Sequence, residues 1–294
     1  LTAGNFAQAS SHLKRLDIEY PVHWANRRSK SLVRLLKLSS KALATEWATR
    51  TQAEQIGQAE RMLKVHRSRQ VVKALKNLTD KVESTDLKCR QLYAMGHALR
   101  KLRKWTEARV YLLKAIPACA EAKSDLEPWA RHIAGKADER LSNEVAAANH
   151  YRQQILKHPK HRLADDGAYY VIRHIVEDLD DLDQAERELK AYVKQFPKGD
   201  MMADAIFFVA VHAFAKKKYR QALRVLKLEG TLILPQPNDG QMGRTAYWTA
   251  RCQAKLGLKK AAGQSYEAAF GEYPLSWYSV LAYSRMREMS PRRA

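Results

Sequence analysis

Nothing in the 294-residue chain approaches the ~20 consecutive apolar residues that a helix needs to cross a bilayer. Glycine (12) and proline (9) are scarce, which argues against an all-β fold and against long structureless linkers. Cysteine is scarcer still. Cys89, Cys119 and Cys252 stand far apart in no metal-ligand spacing, and an odd, low count supplies no disulfide framework. Each falls in a helical pattern and reads as a small buried apolar residue. The chain has no HExxH, no GxSxG and no glycine-rich loop to cradle phosphate. His158 and His161 straddle Pro159, so they share no helical face, and no third ligand lies nearby. No catalytic residue, metal site or cofactor is therefore expected in this chain.

Negative charge is also short. Asp and Glu number 31 against 52 Lys and Arg, a net charge of +21. The surplus is uneven, with 24 basic and 9 acidic residues in positions 1–120. Such an excess concentrates polyanions: nucleic acid, anionic lipid or an anionic cell-wall polymer.

What is present is helical periodicity, most plainly in residues 244–285. Ala246, Trp248, Ala250 and Leu256 mark one helix, which ends at Gly257. A second carries Ala262, Tyr266, Ala269 and Phe270 and stops at Tyr273-Pro274. A third, rich in aromatics, begins at Ser276-Trp277. Gly takes φ > 0 and Pro has no N–H to donate, so both are helix-stop signals. The unit is a helical hairpin of the tetratricopeptide kind. A small residue at the crossing lets its two helices approach, and the residue four further on shares its face. Aligning Ala108/Leu112, Ala147/Tyr151, Ala185/Leu189, Ala222/Leu226 and Ala262/Tyr266 gives successive spacings of 39, 38, 37 and 40. The expected fold is all-α: a right-handed solenoid, or superhelix, of tetratricopeptide-like hairpins with a period of about 38 residues.

Residues 1–85 are expected to form divergent helical hairpins, with helices near 6–16, 24–38, 43–59 and 62–78, and residues 86–294 the clear repeats. Trp24 and Trp47 read as packing residues. The basic run Arg100, Lys101, Arg103 and Lys104 suits a helix C-terminus, where unpaired carbonyls favour cations, and is also a candidate ligand cluster. Asp165, Asp166 and Asp204 fall in first turns as dipole partners. Pro235 and Pro237 forbid helix in the loop 229–240, which Leu232, Ile233 and Leu234 are expected to tuck onto the solenoid.

The stretches ADDGAYYVIRHI, YVKQFPKGDMMADAIFFVAVHAF, RTAYWTARCQAKLG and YPLSWYSVLAYSRM resemble the helical superhelix that precedes the catalytic domain of soluble lytic murein transglycosylases. The resemblance runs from about Gln91 to Met286. Members of that family cleave the glycosidic bond between N-acetylmuramic acid and N-acetylglucosamine in peptidoglycan. They use one Glu, in a Glu-Ser pair followed by a Gly-(Leu/Ala)-Met-Gln motif. Here Glu83-Ser84 is the only such pair and lies before the repeats, and Gly240-Gln241-Met242 has the wrong order. The resemblance thus implies a non-catalytic, periplasmic scaffold whose catalytic domain is expected downstream of residue 294. Its implied partners are that domain, peptidoglycan glycan strands and other cell-wall proteins. Candidate sugar contacts are Arg244, Tyr247, Trp248 and Arg251, although the favoured reading of the residues themselves puts Tyr247 and Trp248 in the core and leaves the arginines solvated. Two other readings stay open: a tetratricopeptide-like adaptor that binds protein, and a basic helical protein that binds nucleic acid.

Overall fold

The computed structural model describes residues 6–39, 45, 49–78, 82, 84–233 and 241–289, and among them every regular element is a helix. No helix among them is long and apolar enough to cross a membrane. The chain divides into two compact units, residues 1–150 and 151–294.

In the first unit, α1 (Phe6–Glu19) packs on α2 (Trp24–Ser39) and α3 (Gln52–Lys64). Then come α4 (Ser68–Leu75), which runs into a 3-10 turn, α5 (Thr85–Lys101), α6 (Trp105–Glu121) and α7 (Leu126–Arg140). The unit boundary falls within α8 (Glu144–Lys157). The break expected near residue 60 is absent. Thr51 and Glu54 form a capping box that starts α3 at Gln52, and the helix continues to Lys64 before His66 turns the chain at φ 61°. Trp24 corrects another expectation. It is 63% exposed, with the Arg28 guanidinium 5.4 Å from its ring, because α2 is too rich in Arg and Lys to bring a core to it. Trp47 lies outside the described residues.

The core of this unit runs from Ile56 and Leu63 through Val71, Leu75, Leu92, Met95, Leu99 and Leu112 to Ile133. Cys89 and Cys119 are joined as a disulfide between α5 and α6, with Cα atoms 4.6 Å apart. That corrects the reading of both as lone apolar residues. An antiparallel hairpin sets side by side two residues 30 apart in sequence, which no local spacing rule detects. Only Cys252 is free among the described residues; it is buried, and burial pushes its thiol up to about 11. Gln91 is 1% exposed, and neither atom of its amide has a hydrogen-bond partner. Leu has nearly the same volume and no polar atom to desolvate. Gln91→Leu is therefore expected to stabilise the chain by about 1–3 kcal/mol, read from the urea midpoint; an unchanged or lower midpoint would mean the amide is satisfied in solution.

The second unit holds three hairpins and a final helix. The pairs are α9 (Ala164–Glu177) with α10 (Leu182–Gln195), α11 (Met202–Ala215) with α12 (Tyr219–Leu226), and α13 (Arg244–Lys255) with α14 (Lys259–Glu272). The chain then enters α15 (Trp277–Met289), which packs on α14. Ile233 departs from its expected role: it is 62% exposed, and its N–H donates to Pro197 O at 2.6 Å, while Leu234, Pro235 and Pro237 lie outside the described residues.

Every aligned small-residue pair is buried, from Ala108 and Leu112 (both 0%) to Ala262 (0%) and Tyr266 (1%). The backbone repeats as well. Arg103, Ser142, Asp180, Lys217 and Gly257 all take positive φ, each five residues before its repeat's Ala. The chain is thus all-α and built of tetratricopeptide-like hairpins.

One buried carboxylate locks α10 to α12. Glu186 accepts from Arg224 Nε and Nη2, both at 3.0 Å, from Gln221 Nε2 at 3.1 Å and from Lys190 Nζ at 2.8 Å. The Arg224 hydrogen bonds chiefly hold its carboxyl down at about 2, below its ordinary 4.5. A depressed carboxylate stabilises fully above the unfolded value and loses that contribution as pH falls from 4.5 towards 2. Glu186→Gln is expected to flatten thermal stability across that window while lowering it at neutral pH. An unaltered pH profile would show that the network contributes nothing.

Candidate functional site

In the second unit the first helices of the three hairpins carry the same pair of residue types. Tyr169 precedes Arg173 by four positions on α9, Phe208 precedes His212 on α11, and Tyr247 precedes Arg251 on α13. Successive pairs are 39 residues apart, so each repeat presents an aromatic ring and an Arg or His one helical turn further on.

These pairs merge into a band. Tyr169 meets Phe208 edge-on at 6.2 Å between centroids, and Phe207 meets Trp248 at 5.9 Å. The Arg173 guanidinium lies 6.0 Å from the Tyr169 ring and 5.9 Å from those of Tyr170 and Phe208, and Nη2 donates to Glu177 at 2.8 Å. The His212 ring sits 4.3 Å from that of Phe208. On α13, Arg251 lies 5.2 Å from Phe214, 5.5 Å from Trp248 and 5.8 Å from Tyr247, and donates to Tyr247 Oη at 2.9 Å. Stacked cations of this kind keep their charge while the rings fix their position. Arg251 has no carboxylate partner among the described residues. Apart from Tyr247, the rings and basic side chains of the band are half-buried, so the surface is apolar, carries the guanidinium groups of Arg173 and Arg251, and is reachable from solvent.

The four residues singled out from the sequence separate into two roles. Arg244 is 5% exposed and structural: Nη1 donates to Asp204 at 2.8 Å, Nη2 donates to Ala203 O at 3.1 Å, and the guanidinium lies 4.4 Å from the Phe207 ring. It ties α13 to the start of α11 and engages the Asp204 expected as a dipole partner. Tyr247, at 2% exposure, is core, packed by Tyr266 and Tyr278. Trp248 and Arg251 belong to the reachable band. Asp165 is likewise more than a dipole partner. It is buried and accepts Met201 N–H at 3.3 Å, and burial, reinforced by Asp200, pushes its carboxyl up to about 6.

No protein-family model matches the chain, and no curated protein sequence matches it. Solved structures do. The apo form of the quorum sensor NprR from B. thuringiensis is 13% identical, with 98% of this chain and 82% of that one covered at a TM-score of 0.48. Apo RapI is 11% identical over 96% of this chain and 99% of its own, TM-score 0.47. A tetratricopeptide repeat protein from Parabacteroides merdae is 11% identical over 97% and 93%, TM-score 0.44. Each likeness is one of backbone arrangement.

The second sequence candidate, Arg100, Lys101, Arg103 and Lys104, forms the turn from α5 to α6 in the first unit. Arg100 Nη2 lies 3.3 Å from His97 Nε2, Lys101 Nζ lies 3.1 Å from His66 Nδ1, and Lys104 pairs with Glu107 at 2.8 Å. His97 is pushed down to about 4 by burial, with Arg100 and Lys101 adding repulsion, so it stays neutral beside these cations. Arg103 is exposed, in the left-handed conformation.

Proposed function

We propose that this chain is a tetratricopeptide-like adaptor that holds an acidic, extended protein segment along the first helices of residues 151–294. One observation carries the reading: the pairing of an aromatic residue with Arg or His repeated at Tyr169/Arg173, Phe208/His212 and Tyr247/Arg251, with guanidinium groups at the first and third. A ladder of rings with guanidinium groups at Arg173 and Arg251 suits an extended ligand that carries apolar and acidic side chains two positions apart, since successive side chains of an extended chain point to opposite sides. The test is fluorescence anisotropy with labelled peptides in which Glu and Phe or Leu take turns at every second position, beside counterparts with Lys in place of Glu. The acidic peptides are expected to bind preferentially, and Arg173→Glu with Arg251→Gln to weaken them roughly tenfold or more with helical content retained. Equal binding of both peptide classes, or affinity untouched by the substitutions, would overturn the proposal.

A second reading keeps the cell-wall assignment: a helical scaffold of a periplasmic lytic transglycosylase that guides glycan strands and packs a catalytic domain. Two observations favour it. A disulfide-linked hairpin suits an exported protein, because thiols in the cytosol are kept reduced. At the start of α15, within the stretch that carries the family resemblance, Leu275 (99% exposed), Trp277 (67%) and Val280 (60%) leave an apolar face uncovered. Co-sedimentation with purified peptidoglycan sacculi across a salt series distinguishes the two readings. Pelleting at physiological salt supports the scaffold, whereas a chain that stays in the supernatant at every salt concentration rules it out.

A further inference from the structure

We propose that the first unit contains a separate binding site for a small diphosphate-bearing anion, in the cleft between the α3–α4 turn and the end of α5. The cleft has a volume of about 600 Å³, and its walls include His66, Arg67, Ser68, Arg69 and Lys101. No carboxylate is among its described lining residues. Several other arginines in this protein are held by acidic partners: Arg90 by Glu60, Arg109 by Asp138, Arg152 by Glu188. Arg67 and Arg69 are both exposed and have none among the described residues, and the Lys101 ammonium has only the His66 ring beside it. Three cations therefore converge with no internal counter-charge.

Two further features point to an oxyanion. Ser68 is buried, at 5% exposure, and lines the cleft, yet its hydroxyl has no hydrogen-bond partner among the described residues. It is also the first residue of α4, and no side chain caps that helix. First-turn amides and the Ser68 hydroxyl are donors suited to phosphate oxygens, and the arginine fork matches them two at a time. The volume exceeds what one phosphate occupies. A smaller cleft of about 170 Å³ shares Arg67 and Gln70 and adds Lys30. Two linked phosphoryl groups would fill more of this volume and meet more of these cations than one. The site also accounts for part of the excess of basic residues in positions 1–120, which the band in the second unit leaves unused.

Isothermal titration of the full chain with inorganic pyrophosphate, inorganic phosphate and a nucleoside diphosphate tests the assignment and separates a bare anion from a carried one. Pyrophosphate or the nucleoside diphosphate is expected to bind roughly tenfold more tightly than phosphate. Arg69→Glu and Lys101→Glu, both on solvent-reachable side chains, are expected to weaken that binding at least roughly tenfold, and Arg173→Glu in the other unit to leave it unchanged. Amide resonances of Ser68 and Arg69 should shift on titration. Absence of binding at millimolar pyrophosphate, or equal loss from Arg173→Glu, would overturn the site in favour of diffuse charge. Single-stranded DNA binding far more tightly than pyrophosphate and lost in the same variants would also overturn it, showing a nucleic-acid groove instead.

Discussion

Replacing Gly96 by Val is expected to destabilise the chain by about 3 kcal/mol, near the upper end for overpacking a core. Gly96 lies in α5 where α6 crosses it. A Cβ there would stand 2.7 Å from Leu112 Cγ, 2.9 Å from Leu112 Cδ2 and 3.3 Å from the Ala108 carbonyl oxygen. Leu112 is fully buried and cannot swing away, so the two helices must part. Ala at this position recovers about 1 kcal/mol of helix propensity against the same clash, whereas Val adds two methyl groups and regains less. The fall in melting temperature, roughly 6–12 °C for a chain of this size, is measurable by far-UV circular dichroism. A double-mutant cycle locates the cause. Leu112→Ala alone leaves a cavity worth roughly 3 kcal/mol. Because the smaller side chain makes room for the introduced valine, the double variant should lose at least about 1 kcal/mol less than the two single losses together. Strict additivity would mean that Gly96 acts through something other than this contact.

Gly96 was not legible as a contact residue, yet the hairpin that requires it was. Ala108, Ala147, Ala185, Ala222 and Ala262 announce themselves because close helix crossing tolerates only small side chains, and that constraint recurs once per repeat. The turns were legible only where the residue type matched the backbone. Gly257 signals its left-handed conformation, but Arg103, Ser142, Asp180 and Lys217 take the same conformation with side chains that favour other regions. Hairpin packing overrides their local preference. Arg244 misled for a related reason. Beside Tyr247 and Trp248 it reads as a ligand contact, and only the position of Asp204, 40 residues earlier in sequence, turns it into a buried tie. By contrast, the column Arg173, His212, Arg251 could have been read directly. Its spacing matches the period, and its aromatic partners precede it by one helical turn in each repeat.

Loss of the Cys89–Cys119 bond is expected to cost about 3–4 kcal/mol, the loop entropy released to the unfolded chain when a bridge spanning 30 residues is opened. Cys89→Ala with Cys119→Ala is the cleaner variant, since Ser would bury two hydroxyls at sites of zero exposure. Guanidinium unfolding gives the magnitude. Thiol counting in denaturant tests the bond itself, with one reactive thiol, Cys252, before reduction and three after. Three thiols without reductant would refute the pairing, and equal midpoints for the oxidised chain and the double variant would refute its energetic weight. The bond joins the early part of α5 to the late part of α6, Gly96 closes the hairpin at its middle, and the Leu102–Lys104 turn closes the remaining end. The hairpin is thus held along its whole length, so Lys101 is presented to the basic cleft from a fixed element. Opening the bond is accordingly expected to weaken pyrophosphate binding only at temperatures where the hairpin itself begins to open. A loss of binding under native conditions, with helical content unchanged, would show that the bridge holds the cleft rather than the fold.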